Sequence, residues 1–162
     1  GTLRCKGLGR FLAAVGRMPE VTFRMWGVAP DFADTRREEA TVPENTTVLP
    51  PRPREALSSV YQESAVYAQL ARVEAFGLVV GEAMLSGCIP VVSGVGQPPE
   101  LVGETGEIVP RPDPGEIAEA LRRALRRNEA SARRAARRRI ETHFSMDQRE
   151  EHLLEVLTDL RR

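Results

Sequence analysis

The stretch VEAFGLVVGEAMLSGCIPVVSGVG, Val73–Gly96, decides how this chain is read. Leu78 to Ser86 has the length and composition of a helix, and Cys88 to Val92 is a short, wholly apolar run with glycines on both sides. An apolar run of that length, bounded by turn residues, reads as a strand buried on both faces. A helix feeding such a strand is half of a βαβ unit, the building block of parallel sheets. The stretch also carries two carboxylates, Glu74 and Glu82, on either side of Phe76-Gly77-Leu78.

Upstream, Ala65 to Leu70 reads as the strand entering this unit, Arg54 to Glu63 as a helix, and Thr46 to Leu49 as a short strand closed by PPRP. Val21 to Val28 reads as a strand ending at Gly27, and Asp31 to Asn45 shows no period. Leu8, Phe11, Leu12 and Val15 recur at helical spacing until Pro19 stops the pattern. Downstream, Glu107 to Val109 offers one more strand, and Asp113 opens a helix with Ile117, Ala120, Leu121 and Leu125 on one stripe. Ser145 begins a capping-box pattern, S-M-D-Q, ahead of Leu153, Leu154, Leu157 and Leu160, which predicts a docked terminal helix. Gly81, in mid-helix, is expected to mark a close helix–sheet contact. Strands alternating with helices give the fold class: α/β, a doubly wound, mostly parallel sheet with helices on both faces. One domain covering residues 1–162 is expected. Only GTLRC precedes Lys6, where such a domain normally opens with a strand, so the chain reads as an excised piece.

Acidic and basic residues balance at 23 each, so net charge calls for no polyanionic partner. Cys5 and Cys88 are too few for a disulfide framework, which points to a reducing compartment. With no signal-peptide pattern and no apolar run near the roughly 18 residues that cross a bilayer, a cytoplasmic chain is expected. There is no C-x-x-C or H-E-x-x-H, and His143 and His152 lack metal-ligand spacing, so neither metal nor cofactor is expected. No G-x-G-x-x-G follows a first strand, which argues against a nicotinamide-binding domain.

In open α/β sheets, ligands bind beyond the carboxyl ends of the strands, where helix N-termini present free N–H groups. Ala71 to Gly77 is such a loop, and the amides of Phe76, Gly77 and Leu78 suit a diphosphate. Glu82, one turn deeper, can accept two hydrogen bonds from a ribose diol. Glu74 sits before the helix, placed for hydroxyls on a sugar beside the phosphates. The bland explanation stands beside this one, because the helix dipole alone favours carboxylates in a first turn by about 0.3–1 kcal/mol. An independent signal is Lys6, the sole lysine among 23 basic residues, at the mouth of the first helix. A compact ammonium is a recognised phosphate partner, although a single lysine also arises by chance.

Taken in order, KG at Lys6-Gly7, EAFGLVVGEAMLSGCIPVV at Glu74–Val92, PELVGETGEIVP at Pro99–Pro110 and HFSMD at His143–Asp147 resemble the C-terminal, donor-binding domain of retaining GT-B glycosyltransferases of family four. The resemblance covers nearly the whole chain. It implies a Rossmann-like domain whose partner, an N-terminal acceptor-binding domain, is missing here. It implies a UDP- or GDP-sugar as donor, with no metal. Glu74 matches the residue that contacts the transferred sugar and Glu82 the one that grips the ribose. Phe76, Gly77 and Leu78 match the backbone against the phosphates, and Lys6 the lysine that neutralises the leaving diphosphate. Pro51 and Arg52 lie in the loop that resembles the nucleobase edge. Arg4 is the candidate for the arginine the family places before its lysine, in a G-R-L context that here reads G-T-L. Leu70 and Ala71 replace the family's Pro-Ser, which removes a hydroxyl from the phosphate site.

Transfer passes through an oxocarbenium-like state as the nucleoside diphosphate leaves, so the catalytic demand is electrostatic. Lys6 and the helix N-terminus would meet it in place of a metal, with same-face attack by the acceptor giving retention. The fragment by itself is expected to bind donor weakly and to transfer nothing. Between Leu121 and Ile140 lie nine arginines against one glutamate. That stripe, Arg122 to Arg139, suits an anionic membrane surface or RNA, or is simply a solvated helix face. Two rivals remain: a sugar-nucleotide epimerase of the same fold, which needs a histidine by the diphosphate, and a non-enzymatic nucleic-acid module using the arginines.

Overall fold

The computed structural model describes residues 6–26 and 41–159 of the chain. Their elements run in the order α1 (Leu8–Val15), β1 (Phe23–Trp26), β2 (Thr46–Leu49), a 3-10 turn (Arg54–Ala56) running into α2 (Leu57–Gln62), and β3 (Val66–Gln69). There follow α3 (Leu78–Leu85), β4 (Ile89–Ser93), α4 (Pro98–Val102), β5 (Glu107–Val109), α5 (Pro114–Arg126), α6 (Ala130–His143) and α7 (Met146–Asp159). Every ladder among the described residues is parallel. β1 pairs with β2, Phe23 opposite Thr46, and β4 lies between β3 and β5, with Val66 opposite Ile89 and Val91 opposite Glu107.

Alternation along the strands sorts side chains to two faces. Val66, Ala68, Leu70, Ile89, Val91 and Val109 meet α1 and α5 through Val15, Met18, Ile117 and Leu121. Tyr67 and Val92 point the other way, onto Val80, Met84, Leu101, Val102, Ala136 and Ile140 of α3, α4 and α6. β4 is buried at every residue because both its faces are covered, which explains its unbroken apolar sequence. Side chains as fully buried as Leu12, Ile89 and Ile117 each contribute about 1.5–3 kcal/mol of apolar transfer energy.

The structure departs from the sequence reading in four places. Pro53 caps a 3-10 turn, so the helix expected from Arg54 is regular only from Leu57. Pro98-Pro99, in a stretch to which the sequence reading gives no element, opens the short α4, since proline fits the first turn of a helix where no N–H is needed. Gly81 does not mark a close helix–sheet contact: a Cβ built there would find no atom within 4 Å. The terminal helix is not docked as expected. Ser145 Oγ does accept from the Gln148 N–H at 3.3 Å, so the cap forms, yet Leu153, Leu154 and Leu157 stay 53%, 58% and 55% exposed. Among the described residues no other element packs extensively against α7, so these leucines have no apolar partner to bury against. Leu160 and Gly27 to Ala40 lie outside the described residues.

Candidate functional site

Of the predicted residues, Lys6 and Glu74 meet just beyond the end of β3. Gly7 opens α1 with φ 74°, and a Cβ there would come within 2.0 Å of the Leu70 carbonyl oxygen. Only glycine allows that approach, which seats Lys6 beside the end of β3. Lys6 Nζ then donates to Glu74 Oε2 at 2.9 Å, across 68 positions of sequence. The Glu74 backbone is pinned just as tightly. Gly96, φ 64°, passes so close that a Cβ would lie 1.8 Å from the Glu74 carbonyl oxygen, and the Gln97 N–H bonds Ala75 O at 3.1 Å. Glu74 is thereby largely enclosed, its side chain 17% exposed, while the Lys6 side chain is 55% exposed.

α3 begins at Gly77, also left-handed at φ 81°, and no side chain caps its N-terminus. α1 likewise starts on a glycine with no side-chain cap. α5 shows the usual alternative: Asp113 accepts from the Gly115 and Glu116 amides at 2.6 and 3.2 Å. The two helices that open onto Lys6 and Glu74 therefore keep first-turn N–H groups for an external acceptor, and the dipole adds positive potential. Phe76 and Leu78 flank this junction with exposed apolar side chains, as does Val73.

Glu82, on the second turn of α3, forms an ion pair with Arg54 from the turn before α2. Arg54 escapes the sequence reading because it looks like an ordinary first residue of a helix. Its only signal is its place after PPRP, a stretch whose restricted φ holds it beside α3. Arg52 stacks on the indole of Trp26, guanidinium carbon to ring centroid 4.9 Å, so the loop bearing Pro51 and Arg52 packs against the end of β1. The Trp26 Nε1 is buried without an acceptor among the described residues. Arg4 lies outside the described residues.

The arginine stripe is largely committed within the protein. Arg122 pairs with Glu119 and Glu20, and Arg123 and Arg127 share Glu107. Arg133 donates to Asn128, Arg137 pairs with Glu141, and Arg139 donates to the Leu101 and Glu100 carbonyls while lying over Phe144. Much of what reads as a free cationic face is a set of clamps between elements. Among the described residues, no group of three or more His, Cys, Asp or Glu side chains could hold a metal ion. No described helix is long and apolar enough to cross a membrane.

Fold and site together define a parallel α/β domain with two open helix N-termini, a lysine and two carboxylates at one edge. The chain belongs to the glycosyl transferases group 1 family, whose model matches residues 3–141. D-inositol 3-phosphate glycosyltransferase of Mycobacterium sp. strain KMS is 35% identical over 134 residues, 77% of this chain and 30% of that one. Its counterpart in Corynebacterium diphtheriae is 47% identical over 79 residues, 48% of this chain and 18% of that one. Sucrose-phosphate synthase of Thermosynechococcus elongatus superposes with a TM-score of 0.81 at 24% identity, over 97% of this chain and 43% of its own. Anabaena HepE, solved in complex with UDP-glucose, gives 0.78 at 19% identity, over 96% and 46%. The two structural likenesses establish the fold, that of GT-B glycosyltransferases. The chain spans about 30% of the curated relative's length.

Proposed function

We propose that this chain is the nucleotide-sugar donor-binding domain, the C-terminal half, of a retaining two-domain glycosyltransferase of family four. The observation that carries the reading is the meeting of Lys6 and Glu74 at 2.9 Å beside the uncapped start of α3. A cation, a carboxylate and free helix amides at one point match a ligand that alternates hydroxyl and phosphate. In this reading the diphosphate rests on the Phe76, Gly77 and Leu78 amides and on Lys6, with Arg4 as a second cation. Glu82 takes the ribose diol, Glu74 the sugar hydroxyls, and the loop at Pro51 and Arg52 borders the base. UDP-glucose in the HepE complex supports a nucleotide sugar as the ligand class.

Chemistry follows from the arrangement. As the bond from the anomeric carbon to the diphosphate breaks, its electron pair goes to the departing phosphate oxygen, where Lys6 and the α3 amides meet the growing charge. The acceptor hydroxyl attacks from the face the phosphate leaves and passes its proton to that phosphate, so configuration is retained. No step calls for a metal. The acceptor binds on an N-terminal domain, so this chain alone binds donor weakly and transfers nothing.

Neither rival has such an observation behind it. Among the described residues, His143 closes α6 exposed and with no partner that would make it an acid or base, and six of the nine stripe arginines already hold partners. Thermal unfolding with millimolar UDP, GDP, UDP-glucose or GDP-mannose tests the proposal. A ligand at 100 times its Kd adds about 2.7 kcal/mol, a shift of several degrees in Tm. Glu82→Ala is expected to abolish the shift, and a shift surviving in that variant places the site elsewhere.

A further inference from the structure

Lys6 is not the only donor on Glu74. Gln69, the last residue of β3, gives its Nε2–H to the same oxygen, Oε2, at 2.7 Å. A carboxylate in an ion pair only accepts, so the amide must turn its NH2 toward Glu74 and its carbonyl away. That carbonyl, Gln69 Oε1, lies 3.3 Å from the Tyr67 hydroxyl, which is therefore the donor. Burial raises the Tyr67 phenol above its ordinary range, which favours the protonated form that donates. The ring is itself fixed edge-on against Tyr61, centroids 5.7 Å apart, and packs beside Val80 and Met84 of α3. One directional chain thus runs from the core to the site: Tyr67 to Gln69 to Glu74, with Lys6 arriving from outside. Among the described residues, Glu74 Oε1 receives no donor.

We infer that Gln69, oriented by Tyr67, is a positioning residue that fixes the Glu74 carboxylate with Oε1 free for the donor's sugar. The pair thereby sets the preference for a sugar nucleotide over the bare nucleoside diphosphate. This rests on the reading of Glu74 as the sugar contact. Lys6 has three N–H groups and is drawn toward a bound diphosphate, so it cannot alone hold Glu74 still. Gln69 keeps Oε2 anchored when the ammonium turns. Being neutral, it does so without cancelling the carboxylate's charge, which a positive anomeric carbon needs nearby.

The experiment compares UDP-glucose with UDP, and GDP-mannose with GDP, by calorimetric titration of the chain. The expected result for Gln69→Met, which keeps length but loses the donor, is about a tenfold weaker sugar nucleotide with the matching diphosphate unchanged. Tyr67→Phe gives a smaller change in the same direction. Gln69→Glu, which sets a second carboxylate against Glu74, gives a larger one. A wild-type preference that survives in Gln69→Met overturns the inference while leaving the donor site in place. Failure of the wild type to bind any of the four overturns the donor-site reading instead. The Gln69 side-chain amide resonances still decide the geometry then: they move in Glu74→Ala and Tyr67→Phe if the chain exists, and stay fixed in both if it does not.

Discussion

At the scale of residues, burial rather than charge controls what titrates. Cys88, walled in by Tyr61 and Ala83 with its thiol directed at the Tyr61 carbonyl, is pushed up to about 11 from an ordinary 9.0. In the unfolded chain the thiol ionises from about pH 9, while in the folded protein it stays protonated up to about pH 11. The folded state then holds more protons, so stability falls as pH rises through that window. Urea denaturation at pH 8 and pH 11 is expected to show a loss that Cys88→Ala reduces by up to about 2 kcal/mol. An unchanged pH slope in that variant refutes it. The phenols of Tyr61 and Tyr67, both raised chiefly by burial, add a loss of the same sign above pH 10.

Among the elements, the contrast lies in how helices begin. α5 spends an aspartate on its own first amides, whereas α1 and α3 start on left-handed glycines and leave theirs open. Asp113→Ala is expected to cost about 1 kcal/mol of stability, read by chemical denaturation. Within α3, Gly81 faces open space, so Gly81→Ala removes a flexible residue and meets no neighbour. Chemical denaturation should find it more stable by about 0.5–1 kcal/mol, and a loss would mean that something covers that face.

At the scale of the whole molecule, arginines add polar clamps to the apolar faces that already dock α5 and α6. Arg139 ties α6 to the carbonyls of Glu100 and Leu101 in α4, and Arg127 ties α5 to the turn before β5. Arg139→Ala should therefore cost about 1–2 kcal/mol by orphaning those carbonyls, whereas its exposed neighbour Arg138 should change stability by less than about 0.5 kcal/mol on truncation. Equal effects at the two positions would return the stripe to a plain solvated face.

Order and type of most elements were legible from residues alone: the run Cys88 to Val92 announced a strand covered on both faces, and Ile117, Ala120 and Leu121 announced the buried side of α5. Period and punctuation act within a few residues, so sequence carries them directly. Lys6, Gly77, Glu74 and Glu82 could be named as candidates, and the resemblance gave them roles, whereas Gly96 went unread. What pairs with what was decided only by folding. Lys6 and Glu74 meet because Gly7 and Gly96 let two backbones pass at distances no side chain allows. Arg54 finds Glu82, and Tyr67 steers Gln69, through a fold that brings separate turns of chain together. The exposed leucines of α7 show the same division: the sequence led to a docked helix, and the structure leaves those leucines without a partner element. Local preference is written residue by residue, but a contact is the product of two places, and only the tertiary structure sets the distance between them.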